Sequence, residues 1–106
     1  MNARTLNSVS FLRIIPVSLT TTFQTLGQVV NAWLDANSKT LPKGSVIQII
    51  LNFNADWKLQ DSVFNQPKTI AADTDKILPI YAPLNNLQVA TVSGSATGTI
   101  ELYIEE

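Results

Sequence analysis

Apolar residues along this chain recur with two different periods. Val9-Ser-Phe-Leu-Arg-Ile-Ile has the composition of a strand, and Pro16, which cannot donate to a central ladder, is expected to end it. Phe23, Leu26, Val30, Trp33 and Leu34 then recur at three- and four-residue intervals, the spacing of one helix face. Thr21 and Gln24 stand at capping-box spacing, in which the hydroxyl accepts an orphan amide and the glutamine reaches back. Asn37-Ser38 and Pro42-Lys43-Gly44 close the segment, so an amphipathic helix is expected near 22–37.

From Ser45 the period becomes two. Ile47, Ile49, Leu51 and Phe53 make one apolar face, while Gln48 and Asn52 interrupt the other. Asn54-Ala-Asp reads as a turn, and Trp57-Lys-Leu-Gln as a short strand after it. Lys76-Ile-Leu-Pro-Ile-Tyr, Leu87-Gln-Val-Ala-Thr-Val and Thr99-Ile-Glu-Leu-Tyr-Ile are three further strands. Ser93-Gly-Ser-Ala-Thr-Gly98 is expected to join the last two as a hairpin, its glycines permitting positive φ. Short strands between Gly and Asn turns predict a mainly β fold: an antiparallel β-sandwich, jelly-roll-like, with the one helix. No repeat or linker divides residues 1–106, which are expected to form a single β-rich domain with residues 1–8 as an N-terminal arm.

Composition narrows the chemistry. The chain has no His and no Cys, which removes imidazole acid/base catalysis, thiol catalysis, disulfides and His/Cys metal sites. At 106 residues it is too short for a multidomain enzyme. Seven basic against eight acidic residues give a net charge of −1, which argues against nucleic-acid binding, where a basic face must neutralise phosphates. Eleven Thr, nine Asn and eight Ser supply most of the polarity without charge, as suits strand faces and turns exposed on an extracellular or virion surface. The stretch from Val9 to Val17 is broken by Ser10, Arg13 and Pro16, so neither a secretory core nor a membrane span is expected, and synthesis is placed in the cytoplasm.

Weighed singly, the remaining chemical candidates favour structural roles. Lys43 with Ser45 is a formal Ser-Lys dyad, better read as a solvated turn before a strand. Asp56 and Asp61, or Asp73 and Asp75, are formal carboxylate pairs, but Asp in turns commonly bonds nearby backbone. Asp73 and Asp75 fall well short of the ligands a Ca²⁺ site needs, so no metal and no cofactor is expected. Gly94-Ser-Ala-Thr-Gly98 lacks the lysine and the following helix of a phosphate loop. Trp33, Trp57, Tyr81 and Tyr103 would have to be exposed together to form a sugar platform. Trp33 on the helix stripe and Trp57 beside Phe53 and Leu59 are instead expected in the core. Tyr103 alternates out of phase with Ile100, Leu102 and Ile104, so it is expected to face a partner or a second sheet. Arg4 in the polar arm, Arg13 in the first strand and Tyr103 are the candidate partner contacts.

From Trp57 onward the order of pieces resembles small virion proteins of tailed bacteriophages. The pieces are Trp57-Lys-Leu-Gln-Asp, Thr69-Ile-Ala-Ala-Asp, Ile77-Leu-Pro-Ile-Tyr, Asn86-Leu-Gln-Val-Ala-Thr-Val, Ser93-Gly-Ser-Ala-Thr-Gly and Thr99-Ile-Glu-Leu-Tyr-Ile. The helix near 22–37 departs from the plainest of these proteins, which are all-β. The resemblance implies a capsid decoration (cement) protein, commonly a homotrimer that sits between capsomers on the virion surface and binds the major capsid protein, or else a small head or tail accessory protein. With the usual catalytic residues missing and no compelling carboxylate pair, the chain is not expected to be an enzyme. A carbohydrate- or receptor-binding β-sandwich of a tail or fibre is the alternative.

Overall fold

The computed structural model describes residues 9–41, 45–78 and 84–105. Along the chain run β1 (Val9–Leu19), β2 (Gln24–Thr25), α1 (Leu26–Ala36), β3 (Ser45–Phe53), β4 (Trp57–Asp61), β5 (Lys68–Ile70), β6 (Lys76–Leu78), β7 (Leu87–Thr91) and β8 (Ala96–Glu105). A 3-10 turn over Leu84–Asn86 precedes β7. The strands form two four-stranded sheets, ordered β1-β8-β3-β6 (sheet A) and β2-β7-β4-β5 (sheet B). β1 pairs with β8, β2 with β7, β3 with β6 and β4 with β5, all antiparallel. The chain is thus one long antiparallel ribbon wrapped on itself, its successive rungs falling in alternate sheets. That connectivity is a jelly roll, and the fold is a mainly β antiparallel sandwich with one helix, as the periodicity predicts.

The core follows from the period-two positions. Ile49, Leu51 and Phe53 of β3 and Ile100, Leu102 and Ile104 of β8 are buried, facing Trp57, Ile70 and Val89 of sheet B. The Phe53 and Trp57 rings meet edge-on with centroids 5.1 Å apart. Leu26, Val30 and Leu34, one stripe of α1, close the same cluster. Among the described residues no helix is long and apolar enough to cross a membrane.

Four sequence expectations are corrected. Pro16 does not end the first strand: β1 runs on to Leu19 through a register irregularity between Ile14 and Val17, with the Ile15–Pro16 peptide cis. Proline is tolerated there because β1 is an edge strand and its other side owes no partner an N–H. The helix begins at Leu26, not near 22, and the capping box is one turn later than Thr21 and Gln24. Thr25 Oγ1 accepts the Gln28 N–H at 3.0 Å and Gln28 Oε1 accepts the Thr25 N–H at 2.9 Å. Pairing of Gln24 with Val89 and Thr25 with Gln88 holds the preceding residues extended, so tertiary contact chooses between two equivalent Thr-x-x-Gln sequences.

The third correction concerns the last two strands. They are not a hairpin: β7 belongs to sheet B and β8 to sheet A, and the segment between them crosses the sandwich. Of the two glycines in that segment only Gly94 has positive φ, at 62°, while Gly98 lies within β8 opposite Val17 and Phe53. The fourth is local. A register shift between Val46 and Gln48 makes Ile47 the extra residue of a bulge, so Val46 and not Ile47 stands opposite Ile104 and extends the buried row.

Candidate interaction surfaces

Alternation in β8 turns Glu101 and Tyr103 outward, away from the second sheet, because Ile100, Leu102 and Ile104 take the core side. Register then assembles a surface around them. Phe11 lies opposite Tyr103 and Arg13 opposite Glu101 on β1, while Gln48 and Ile50 flank the same two residues on β3. Ile77 of β6 lies beside Ile50. The Phe11 and Tyr103 rings are tilted at 48° with centroids 4.9 Å apart. Arg13 Nε is 3.5 Å from Glu101 Oε2, with side chains 56% and 26% exposed. A pair that wet stabilises a fold by about 1 kcal/mol at most. Phe11 and Ile77 both remain more than half exposed. Of the three candidate contacts, Arg13 and Tyr103 are therefore brought to one outer face. Arg4 and the rest of the 1–8 arm lie outside the described residues.

The carboxylates hold turns. Asp56 Oδ1 accepts the Ala72 N–H at 2.9 Å, and Asp75 Oδ1 accepts from Asn52 Nδ2 at 2.7 Å. Asp73 adopts φ 57° and donates its backbone N–H to the Phe53 carbonyl at 2.8 Å. Among the described residues no cluster of three or more acidic side chains is placed to hold a metal ion. Trp57 is fully buried, which takes it out of any sugar platform, and Lys43 and Tyr81 lie outside the described residues. No family model matches this chain, and no curated protein does.

Two more surfaces are not expected from the sequence. Val29, Ala32, Trp33 and Ala36, spaced along one flank of α1, face Pro16 and Val17 of β1 across an open cleft of about 300 Å³. The half-buried Trp33 braces that cleft by donating its indole N–H to the Ile15 carbonyl at 3.0 Å. The second is the β4–β5 turn, where Val63 and Phe64 are 72% and 71% exposed. An apolar pair between Asp61-Ser62 and Asn65-Gln-Pro is the signal for it, since turn residues on both sides leave large side chains nowhere to be buried. The cleft leaves a fainter trace: Ala32 and Ala36 stand beside the core-packed Val29 and Trp33 and widen the apolar face of α1.

Proposed function

We propose that this protein is a structural virion protein of a tailed bacteriophage: a capsid decoration protein that binds between capsomers and stabilises the head. It acts through surfaces and performs no catalysis. The observation that carries the reading is the outer face of sheet A, where Phe11, Tyr103, Ile50 and Ile77 surround the exposed Arg13–Glu101 pair. A partly apolar face with both charge signs suits docking on another protein, the charges setting orientation and the rings supplying buried area. The jelly roll also occurs among viral capsid domains, a support by analogy of fold alone.

Oligomerisation would strengthen such docking without new contacts. If three copies associate, the second and third contacts with the shell become intramolecular, and avidity exceeds single-site affinity by about 10²–10⁴. The partner in this reading is the major capsid protein, and the location is the outer surface of the head.

The direct test is to add purified protein to expanded heads of the encoding phage that lack it, and to measure co-sedimentation and heat resistance of the heads. Saturable binding with a raised rupture temperature is the expected result. Heads that neither bind the protein nor gain stability overturn the reading. A glycan-binding module of a tail or fibre is the runner-up, and the burial of Trp57 weighs against it, since one of its proposed stacking rings is in the core.

A further inference from the structure

β1 is an edge of sheet A, and the fold protects only one half of it. From Ile15 on, the free side of the strand lies against α1. Trp33 donates its indole N–H to the Ile15 carbonyl at 3.0 Å, and Pro16, Val17 and Ser18 form one wall of the cleft that the helix closes. Residues 9–14 pair with β8 on one side and, among the described residues, with no strand on the other. Main-chain N–H and C=O groups alternate between the two sides of a strand, so every second residue of this stretch aims its pair away from β8. Such a row is a template for a further strand, and six residues are the usual length of one.

The side chains show the same opening. Leu12 stands opposite Leu102 on the core side of sheet A, and Ile49 of β3 stands on the far side of Leu102. Leu102 and Ile49 are buried, as is Ile14, yet Leu12 is only half-buried. The sandwich is therefore open along this edge, and a strand added beyond β1 would cover Leu12. On the outer face Phe11 and Arg13 are more than half exposed, although β8 already lies beside them.

β8 also shows what these residues accept from a neighbouring strand. Glu101 lies opposite Arg13 and Tyr103 opposite Phe11, while Ile100, Leu102 and Ile104 oppose the core-side positions Ile14, Leu12 and Ser10. Directly opposed residues of an antiparallel pair share a face, so a strand of the same pattern fits the free edge with the same residues inward. Arg13 repels a basic strand there and attracts an acidic one.

We propose that the free edge of residues 9–14 is a strand-addition site. It takes an extended segment of a partner protein, antiparallel to β1, with apolar residues at alternate positions and an acidic residue opposite Arg13. Main-chain hydrogen bonds supply the affinity, and the Leu12 and Arg13 positions select the sequence. The site is an edge of sheet A, distinct from the outer face that carries the virion reading, and its test needs no heads.

The probe is a capped peptide with the sequence of residues 100–105, which already pairs with β1 from the other side. Titrated into isotope-labelled protein and followed by NMR, it should saturate. It should slow hydrogen exchange at those amides of residues 9–14 that exchange freely in the protein alone, and leave the amides of β8 protected. A peptide carrying Glu101→Lys should bind at least about fivefold more weakly, and Arg13→Ala protein should lose that preference. A scrambled peptide of the same composition should not saturate. Absence of saturable binding, protection confined to another part of the protein, or equal binding of the scrambled peptide would each overturn the proposal. Loss of protection in β8 would do so too, since the peptide would then replace that strand and not extend the sheet. A protein that is dimeric without peptide, with residues 9–14 already protected, would give the edge to a second copy and overturn it as well.

Discussion

Gly98 of β8 lies so close to Asn52 of β3 that a β-carbon on it would overlap the Asn52 carbonyl oxygen. The next backbone atom it would meet, Phe53 Cα, is 2.7 Å away. Both neighbours are main chain in the middle of sheet A, so neither can swing aside as a side chain would. Gly98→Ala should therefore cost at least about 1–3 kcal/mol, the usual range for forced overpacking. Gly94 is a glycine for another reason: its φ is 62° and nothing lies near the added carbon. Gly94→Ala should cost about 1–2 kcal/mol and Gly94→Asn less, since Asn tolerates that region. Urea denaturation of the three variants checks the order, and a Gly98→Ala protein as stable as wild type would contradict the close approach.

The two Thr-x-x-Gln sequences allow a clean comparison. Thr25→Ala removes the hydroxyl that accepts the Gln28 N–H and should lower stability by about 1 kcal/mol. Thr21→Ala, at an exposed position outside the helix, should stay within about 0.5 kcal/mol of wild type. Equal losses at the two sites in thermal unfolding would mean that the helix starts earlier than Leu26.

Trp57 fills the core but, among the described residues, its indole N–H meets no acceptor. Trp57→Ala should cost about 3–5 kcal/mol through the cavity it leaves. Trp57→Phe deletes the unpaired donor together with part of the ring, and relief of that desolvated group, worth about 1–3 kcal/mol, offsets much of the lost area. The phenylalanine variant should lose less than half as much stability as the alanine one in chemical denaturation. Comparable losses would show that the N–H has a partner after all.

On the outer face of sheet A, stability and binding should separate. Arg13→Ala breaks a solvent-exposed ion pair and should change unfolding free energy by no more than about 1 kcal/mol. The same substitution, and Tyr103→Ala with it, should weaken binding to heads at least tenfold if this face meets the shell. Unchanged head binding by both variants would move the contact elsewhere on the protein.

Much of this fold is legible in the chain because burial on one side of a strand leaves a period-two trace. Ile49, Leu51 and Phe53, and Ile100, Leu102 and Ile104, announce their strands and their inward faces by spacing alone. What that trace does not carry is pairing. Ser93 to Gly98 has the chemistry of a tight turn whether it folds a strand back on its neighbour or carries it to the opposite sheet, and periodicity is blind to the difference. The helix start is ambiguous in the sequence because local capping chemistry occurs twice, and the β2–β7 pairing that selects Thr25 is a contact between residues far apart along the chain. Arg13 and Tyr103 are recognisable singly as odd members of apolar strands, but their neighbourhood exists only through the register of β1 on β8. Ile47 is misplaced by simple alternation because one inserted residue reverses the faces of everything before it.

The nested pairing of strands also sets an order of events. Val9 of the first strand finds its partner at Glu105, and β8, which supplies that partner, is one of the two strands held on both sides in sheet A. During synthesis, β1 must wait until β8 has been made before its ladder can form, and β3 lacks one of its two neighbours until then. Local structure such as α1 can come and go earlier, but the sandwich can close only after β8 has left the ribosome. A message truncated ahead of Ala96 would yield a chain with two strand edges bare in sheet A, suited to degradation or aggregation.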